Sequence, residues 1–202
     1  MKTVAIRPPA NIHMVLQWED DEPKGTSAEA TRGNLAIFLG DSEVPLWGTA
    51  PDGFSWTWIE LLEYLAENWV PLFELDSRDP VGLGVFPETL LDTCRGRWVK
   101  NPQRKEVEER RVLAYLEEHN LVYALHGAYP SGLWVTMFKA FNELRIACGS
   151  QVAYLPIRDG VLVFRDLGNA IADRLKDYTD LRSTMVLTKW EKVKKVSTWP
   201  WL

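Results

Sequence analysis

The chain is poor in the residues that most local chemistry requires. Its 202 residues include two cysteines, Cys94 and Cys148, and three histidines, His13, His119 and His126. Two distant thiols beside small or apolar neighbours exclude a disulfide framework and suit a reducing compartment. Structural zinc needs ligand clusters at close spacing. His119 and His126 stand seven apart with Asn120 between them, and no His-Glu-x-x-His occurs. The Gly-x-Gly-x-x-Gly fingerprint, the Walker loop and the Gly-x-Ser-x-Gly elbow are also missing. Gly82-Leu83-Gly84 is too short and follows no strand. No metal site, no cofactor and no catalytic set is expected, so the chain reads as non-enzymatic.

Long apolar runs are lacking too. None approaches the roughly 20 residues of a membrane span, and Met1–Pro9 has no signal-peptide core. A cytoplasmic protein without membrane contact is expected. Positive charge is scarce, with 23 Lys and Arg against 28 Asp and Glu, a net −5. The dense basic run Lys189, Lys192, Lys194 and Lys195 closes a helix, where the dipole favours cations. Nucleic-acid binding is not expected.

Tryptophan is plentiful instead. Ten tryptophans in a chain that is 46% hydrophobic imply either an aromatic core or an exposed recognition surface. Ile12, Met14, Leu16 and Trp18 alternate with polar or smaller residues and predict a strand. Leu35, Ile37 and Leu39 predict a second, and Val44 to Trp47 a short third, giving an antiparallel meander. Trp58, Leu61, Leu62, Leu65 and Trp69 share one face of a helix. Thr57 and Glu60 have capping-box spacing, and Pro71 should end the helix. A short helix should follow Pro87, and a charged one should span Arg104 to His119 with Glu106 and Arg110 paired.

Strands return at Leu133, Val135 and Met137 and at Leu144, Ile146 and Cys148, with a turn at Ala140-Phe141-Asn142. Val152 to Leu155 can add another. Two helices close the pattern, one with the stripe Val161, Phe164, Gly168, Ile171 and Leu175. The other has Leu181, Leu187 and Trp190. The expectation is an α+β fold, a β-meander and a β-hairpin packed against several helices. It forms one domain, 1–202, or two packed subdomains, 1–75 and 105–196, joined by a loop-rich segment.

Several residues stand out as binding candidates. Trp58 belongs to the apolar stripe and should be core, whereas Trp56 lies off it and either packs on the meander or meets a partner. Trp47 is close to both in sequence. His119, His126 and Arg145 gather near the hairpin. Trp199 and Trp201 sit in a terminal Trp-Pro-Trp-Leu that is too apolar to stay in water, so it should dock on this chain, a second copy or a partner. Glu60, Glu63 and Glu67 form an acidic stripe.

Two segments together resemble a known family. One holds Gly33-Asn34-Leu35, Trp47 and Phe54-Ser55-Trp56-Thr57-Trp58 running on to Trp69. The other runs from Glu118-His119-Asn120-Leu121 through Leu133-Trp134-Val135, Glu143-Leu144-Arg145-Ile146-Ala147 and Leu155-Pro156 to Leu167-Gly168-Asn169 and Leu175. Their order is similar to the region N-terminal to the peptidase domain in larger ImmA/IrrE-type proteins of bacteria. The family's zinc peptidase signature is absent, so no ligand or catalytic residue carries over. The resemblance implies a peptidase-associated sensing or docking domain, occurring alone or as a fragment, with a mobile-element, stress or defence context.

The leading functional expectation is a binding or regulatory module that contacts a protein, holds a ligand or self-associates. A second is an acidic inhibitor or antitoxin-like protein that occupies a basic partner through Glu19-Asp20-Asp21-Glu22 and the glutamate stripe. A third is an enzyme of unrecognised type built on His119, His126 and Arg145.

Overall fold

Alternating apolar residues build the first sheet. The computed structural model describes residues 2–6, 12–18, 32–39, 47–48, 56–121, 132–148 and 150–196. Strand β2 (Ile12–Trp18) buries Ile12, Met14, Leu16 and Trp18 and leaves the residues between them half-buried. It pairs antiparallel with β3 (Arg32–Leu39), setting Met14 opposite Ile37 and Leu16 opposite Leu35. Strand β1 (Lys2–Ile6), which the sequence reading missed, pairs with the other side of β2. The far edge of β3 is shared by two short strands, β4 (Trp47–Gly48) and β5 (Trp56–Thr57). Of the expected third strand only Trp47 falls among the described residues. Gly33 is fixed by close packing, because a Cβ there would lie 2.0 Å from the Gln17 carbonyl and 2.6 Å from Trp58 Nε1.

Helix α1 (Trp58–Phe73) buries its whole expected stripe. Two expectations at its ends need correction. Thr57 occupies the cap position, but its side chain makes no capping bond. Its backbone belongs to β5 opposite Arg32 instead. Pro71 does not end the helix, which continues to Phe73. Leu72 and Phe73 are fully buried, and the Val70 carbonyl accepts from Glu74 N at 2.9 Å and Leu75 N at 3.1 Å. Core packing holds the last turn despite the missing amide.

Helices α2 (Pro87–Lys100) and α3 (Pro102–His119) form a hairpin around Leu90, Cys94, Trp98, Val112, Tyr115 and Leu116. The i,i+4 ion pairs that form on α3 are Arg104–Glu108 and Lys105–Glu109, not the expected Glu106–Arg110. The second sheet follows, with order β6 (Leu133–Phe138), β7 (Glu143–Cys148), β8 (Gln151–Pro156). The β6–β7 turn is a 3-10 turn at Lys139–Phe141 closed by Asn142 at φ 55, a conformation Asn tolerates.

Helix α4 (Ile157–Leu175) buries its expected stripe and touches strands of both sheets. Gly168 lets α5 (Leu181–Val196) approach, since a Cβ there would lie 2.2 Å from the Trp190 ring. Leu181 was expected on the buried face of α5 but is 76% exposed. Asp180 hydrogen-bonds Ser183 through N at 2.9 Å and Oγ at 2.5 Å, which turns Ser183, Val186, Trp190 and Val193 inward instead. One core cluster runs from Ile12 to Val193 and joins both sheets. The outer face of the second sheet meets the α2–α3 hairpin through Trp134. Among the described residues no helix is long and apolar enough to cross a membrane.

Candidate functional site

The outer edge of β6 organises a cleft. Residue Ser77 lies against that edge, donating from N to the Met137 carbonyl at 2.8 Å while its Oγ accepts from Met137 N at 2.9 Å. Asp76 accepts from Lys139 N at 2.9 Å. Further along, the Asp79 carboxylate accepts from the amides of Val81 at 2.8 Å, Gly84 at 2.9 Å and Leu83. Gly82 and Gly84 take φ of 69° and 68°, which only glycine adopts without strain. The loop is therefore wrapped around its own carboxylate and delivers Phe86 and Pro87 to the start of α2.

A cleft of about 430 Å³ opens between this loop, Tyr115 of α3 and Phe138 of β6. Its aromatic wall is Phe86, 43% exposed, edge-on to Phe138 at 6.1 Å. Beneath Phe86, the Arg145 guanidinium lies 4.0 Å from the ring centre. Arg145 is almost fully buried and is clamped by both oxygens of Glu88, with Nη1 to Oε2 at 3.2 Å. Its Nε and the hydroxyl of Thr136, its cross-strand neighbour, are buried without hydrogen-bond partners. Tyr115 packs on His119 with ring centres 4.4 Å apart. Burial, reinforced by the charges of Asp79 and Glu88, pushes the Tyr115 phenol upward, so it remains a neutral hydrogen-bond donor at physiological pH.

The structure brings two of the sequence candidates to this region. Arg145 forms the base beneath Phe86. His119 is buried, with Nδ1 2.8 Å from the Val135 carbonyl, which makes Nδ1 the protonated nitrogen. Burial holds the His119 pKa below its ordinary value, partly offset by that hydrogen bond. Trp47 and Trp56 pair through their backbones with Ile37 and Gly33, and their side chains lie outside the described part of the structure. His126, Trp199 and Trp201 are outside the described residues, as is the acidic segment 19–22. Cys94 is buried, and burial together with Glu108 raises its thiol pKa, which disfavours the thiolate.

Sequence reasoning missed Glu88, Phe86, Tyr115 and Phe138. The available signal was the Asp-, Pro- and Gly-rich stretch 76–87, whose turn chemistry marks a built loop rather than a plain connection. The glutamate stripe also reads differently. Glu63 accepts from Arg182 at 3.1 Å and from Lys189 at 2.9 Å, and Glu67 from Lys189 at 2.5 Å. Partial burial pushes Glu63 upward, but these cations outweigh it and hold the carboxyl below its ordinary pKa. Among the described residues no group of three or more His, Cys, Asp or Glu could hold a metal ion. Comparison with protein-family models, curated proteins and solved structures finds no match.

Proposed function

We propose that the chain is a non-enzymatic binding or regulatory module, and that the aromatic cleft is where it takes a group from its partner or ligand. One observation carries this reading. Phe86, Phe138 and Tyr115 are left facing an open cleft, while the acid–base groups around it are held structurally. Arg145 is engaged by Glu88, His119 by the Val135 carbonyl and Asp79 by three amides. Such a wall suits an apolar or aromatic group bearing a hydrogen-bond acceptor for Tyr115. Arg78, with its side chain 85% exposed and 3.6 Å from Asp76, lies among the lining residues.

The acidic-inhibitor reading loses its glutamate stripe, which Arg182 and Lys189 cover from α5. On the resemblance to regions associated with ImmA/IrrE-type peptidases, the partner would be a protein of that regulatory setting. The test is a photo-crosslinking residue placed at Arg78 and, as a control, at exposed Lys176, in cells of the source organism. A discrete adduct at Arg78 that is absent at Lys176 and lost on Phe86→Ala supports the proposal. Equal labelling at both positions defeats it.

A further inference from the structure

The inner face of the α2–α3 hairpin is filled by its own small core, but its outer face is not covered by any described residue. Leu91, Val99, Pro102 and Leu113 border a furrow of about 660 Å³ floored by Trp98. Val99 is 83% exposed and Leu113 41%. Contiguous apolar surface of this kind marks an interaction face. None of its lining residues belongs to the aromatic cleft.

The charges around the furrow indicate what it takes. Between residues 87 and 119 the chain carries seven Lys and Arg and seven Asp and Glu, a neutral hairpin in a chain of net −5. The furrow itself is flanked by both signs, Arg95 and Lys105 with Glu109. A strongly acidic or strongly basic partner gains no net attraction here. A second copy of the hairpin does, because the arrangement can complement itself about a two-fold axis. Two −5 chains repel least where their facing segments are neutral.

We propose that two copies of this chain associate through the outer faces of their α2–α3 hairpins, in an antiparallel four-helix contact. A two-fold axis level with Val107 sets Lys105 of one copy opposite Glu109 of the other, and Glu109 opposite Lys105. The same axis lays Leu113 of one copy over the Asn101-Pro102 start of its mate's α3. The residues 102, 105, 109 and 113 share one helix face, so all four meet at once. Lys105 and Glu109 already pair within the helix at 3.5 Å, both about half exposed, so the exchange to the partner requires only side-chain rotation.

The test is sedimentation equilibrium of the full chain from micromolar to millimolar concentration. A dimer in exchange with monomer is expected. Leu113→Glu abolishes it while changing the melting temperature little at a dilution where the parent is monomeric, because Leu113 lies outside the hairpin core. Lys105→Glu alone and Glu109→Lys alone each weaken association by roughly tenfold, since each places two like-charge pairs at the contact. An equimolar mixture of those two variants restores a heterodimer. A wild-type chain that stays monomeric throughout overturns the proposal, as does a dimer indifferent to Leu113→Glu. A mixture that fails to recover association also overturns it. Arg78 crosslinking is independent of all these outcomes, so the cleft and the hairpin face fail or stand separately.

Discussion

Glu88→Gln tests whether the Arg145–Glu88 clamp holds the cleft together. Arg145 is 3% exposed and Glu88 22%. Removing the carboxylate charge leaves a guanidinium buried among Phe86, Thr136 and the sheet with a single amide oxygen as acceptor. Breaking a buried pair from one side costs about 3–5 kcal/mol. The partial exposure of Glu88 and the surviving acceptor place this case at the lower end, about 3 kcal/mol. For a chain of 202 residues, each kcal/mol moves Tm by roughly 2–4 °C, so a fall of roughly 6–12 °C is expected. Arg145→Met should cost less, because Glu88 can turn toward water and the methionine stem still supports Phe86. The double variant should melt close to Arg145→Met alone, giving a strongly non-additive cycle. Calorimetry of the four proteins measures it. A Glu88→Gln protein that melts with the parent, or a cycle that is additive, refutes the argument that the arginine is buried by virtue of its partner.

Three further outcomes are expected. Trp58→Ala removes a fully buried ring tilted on Trp18 at 4.8 Å and should cost about 3–5 kcal/mol, read as a denaturation midpoint. Gly168→Val forces α4 from the Trp190 ring and should destabilise by about 1–3 kcal/mol, with altered Trp fluorescence as a second readout. His119 has a lowered folded pKa, so below its ordinary value of 6.5 the unfolded chain takes a proton that the folded one resists. Stability from this residue is full above that pH and is lost as pH falls; pH-dependent melting of His119→Gln should show a shallower acid limb.

Much of the fold was legible because periodicity reports which residues share a face. β2 alternates without error, and the α1 and α4 stripes are each buried as their spacing requires. The misses have local physical causes. β1 carries apolar Val4 and Ile6 in too short a run to separate from an irregular terminus, and it is recognised only by its pairing with β2. Pro71 breaks a rule that holds for isolated helices but yields where Leu72 and Phe73 are packed. Spacing with Leu187 and Trp190 places Leu181 inward, while Asp180 makes two bonds to Ser183, the residue that is buried instead, and no apolar pattern displays them.

The candidate site was less legible because the meaning of its residues depends on what lies opposite. Glu60, Glu63 and Glu67 looked like an open acidic stripe, since helix spacing says nothing about a facing element. Their cations arrive from Arg182 and Lys189, 119 to 126 residues away in the chain. Glu88 and Arg145 are 57 residues apart, and neither signals the other. Such pairing changes what a charged group can do. A carboxylate clamped by a buried guanidinium has both oxygens occupied and is neither base nor nucleophile until the clamp opens. A stripe whose carboxylates are paired from α5 projects a weaker field toward a basic surface than open carboxylates would. Long-range pairing thus engages Glu63, Glu67, Glu88 and Arg145 within the fold. It leaves the aromatic wall of the cleft and the mixed-charge face of the hairpin, where Phe86, Val99 and Leu113 remain in contact with water.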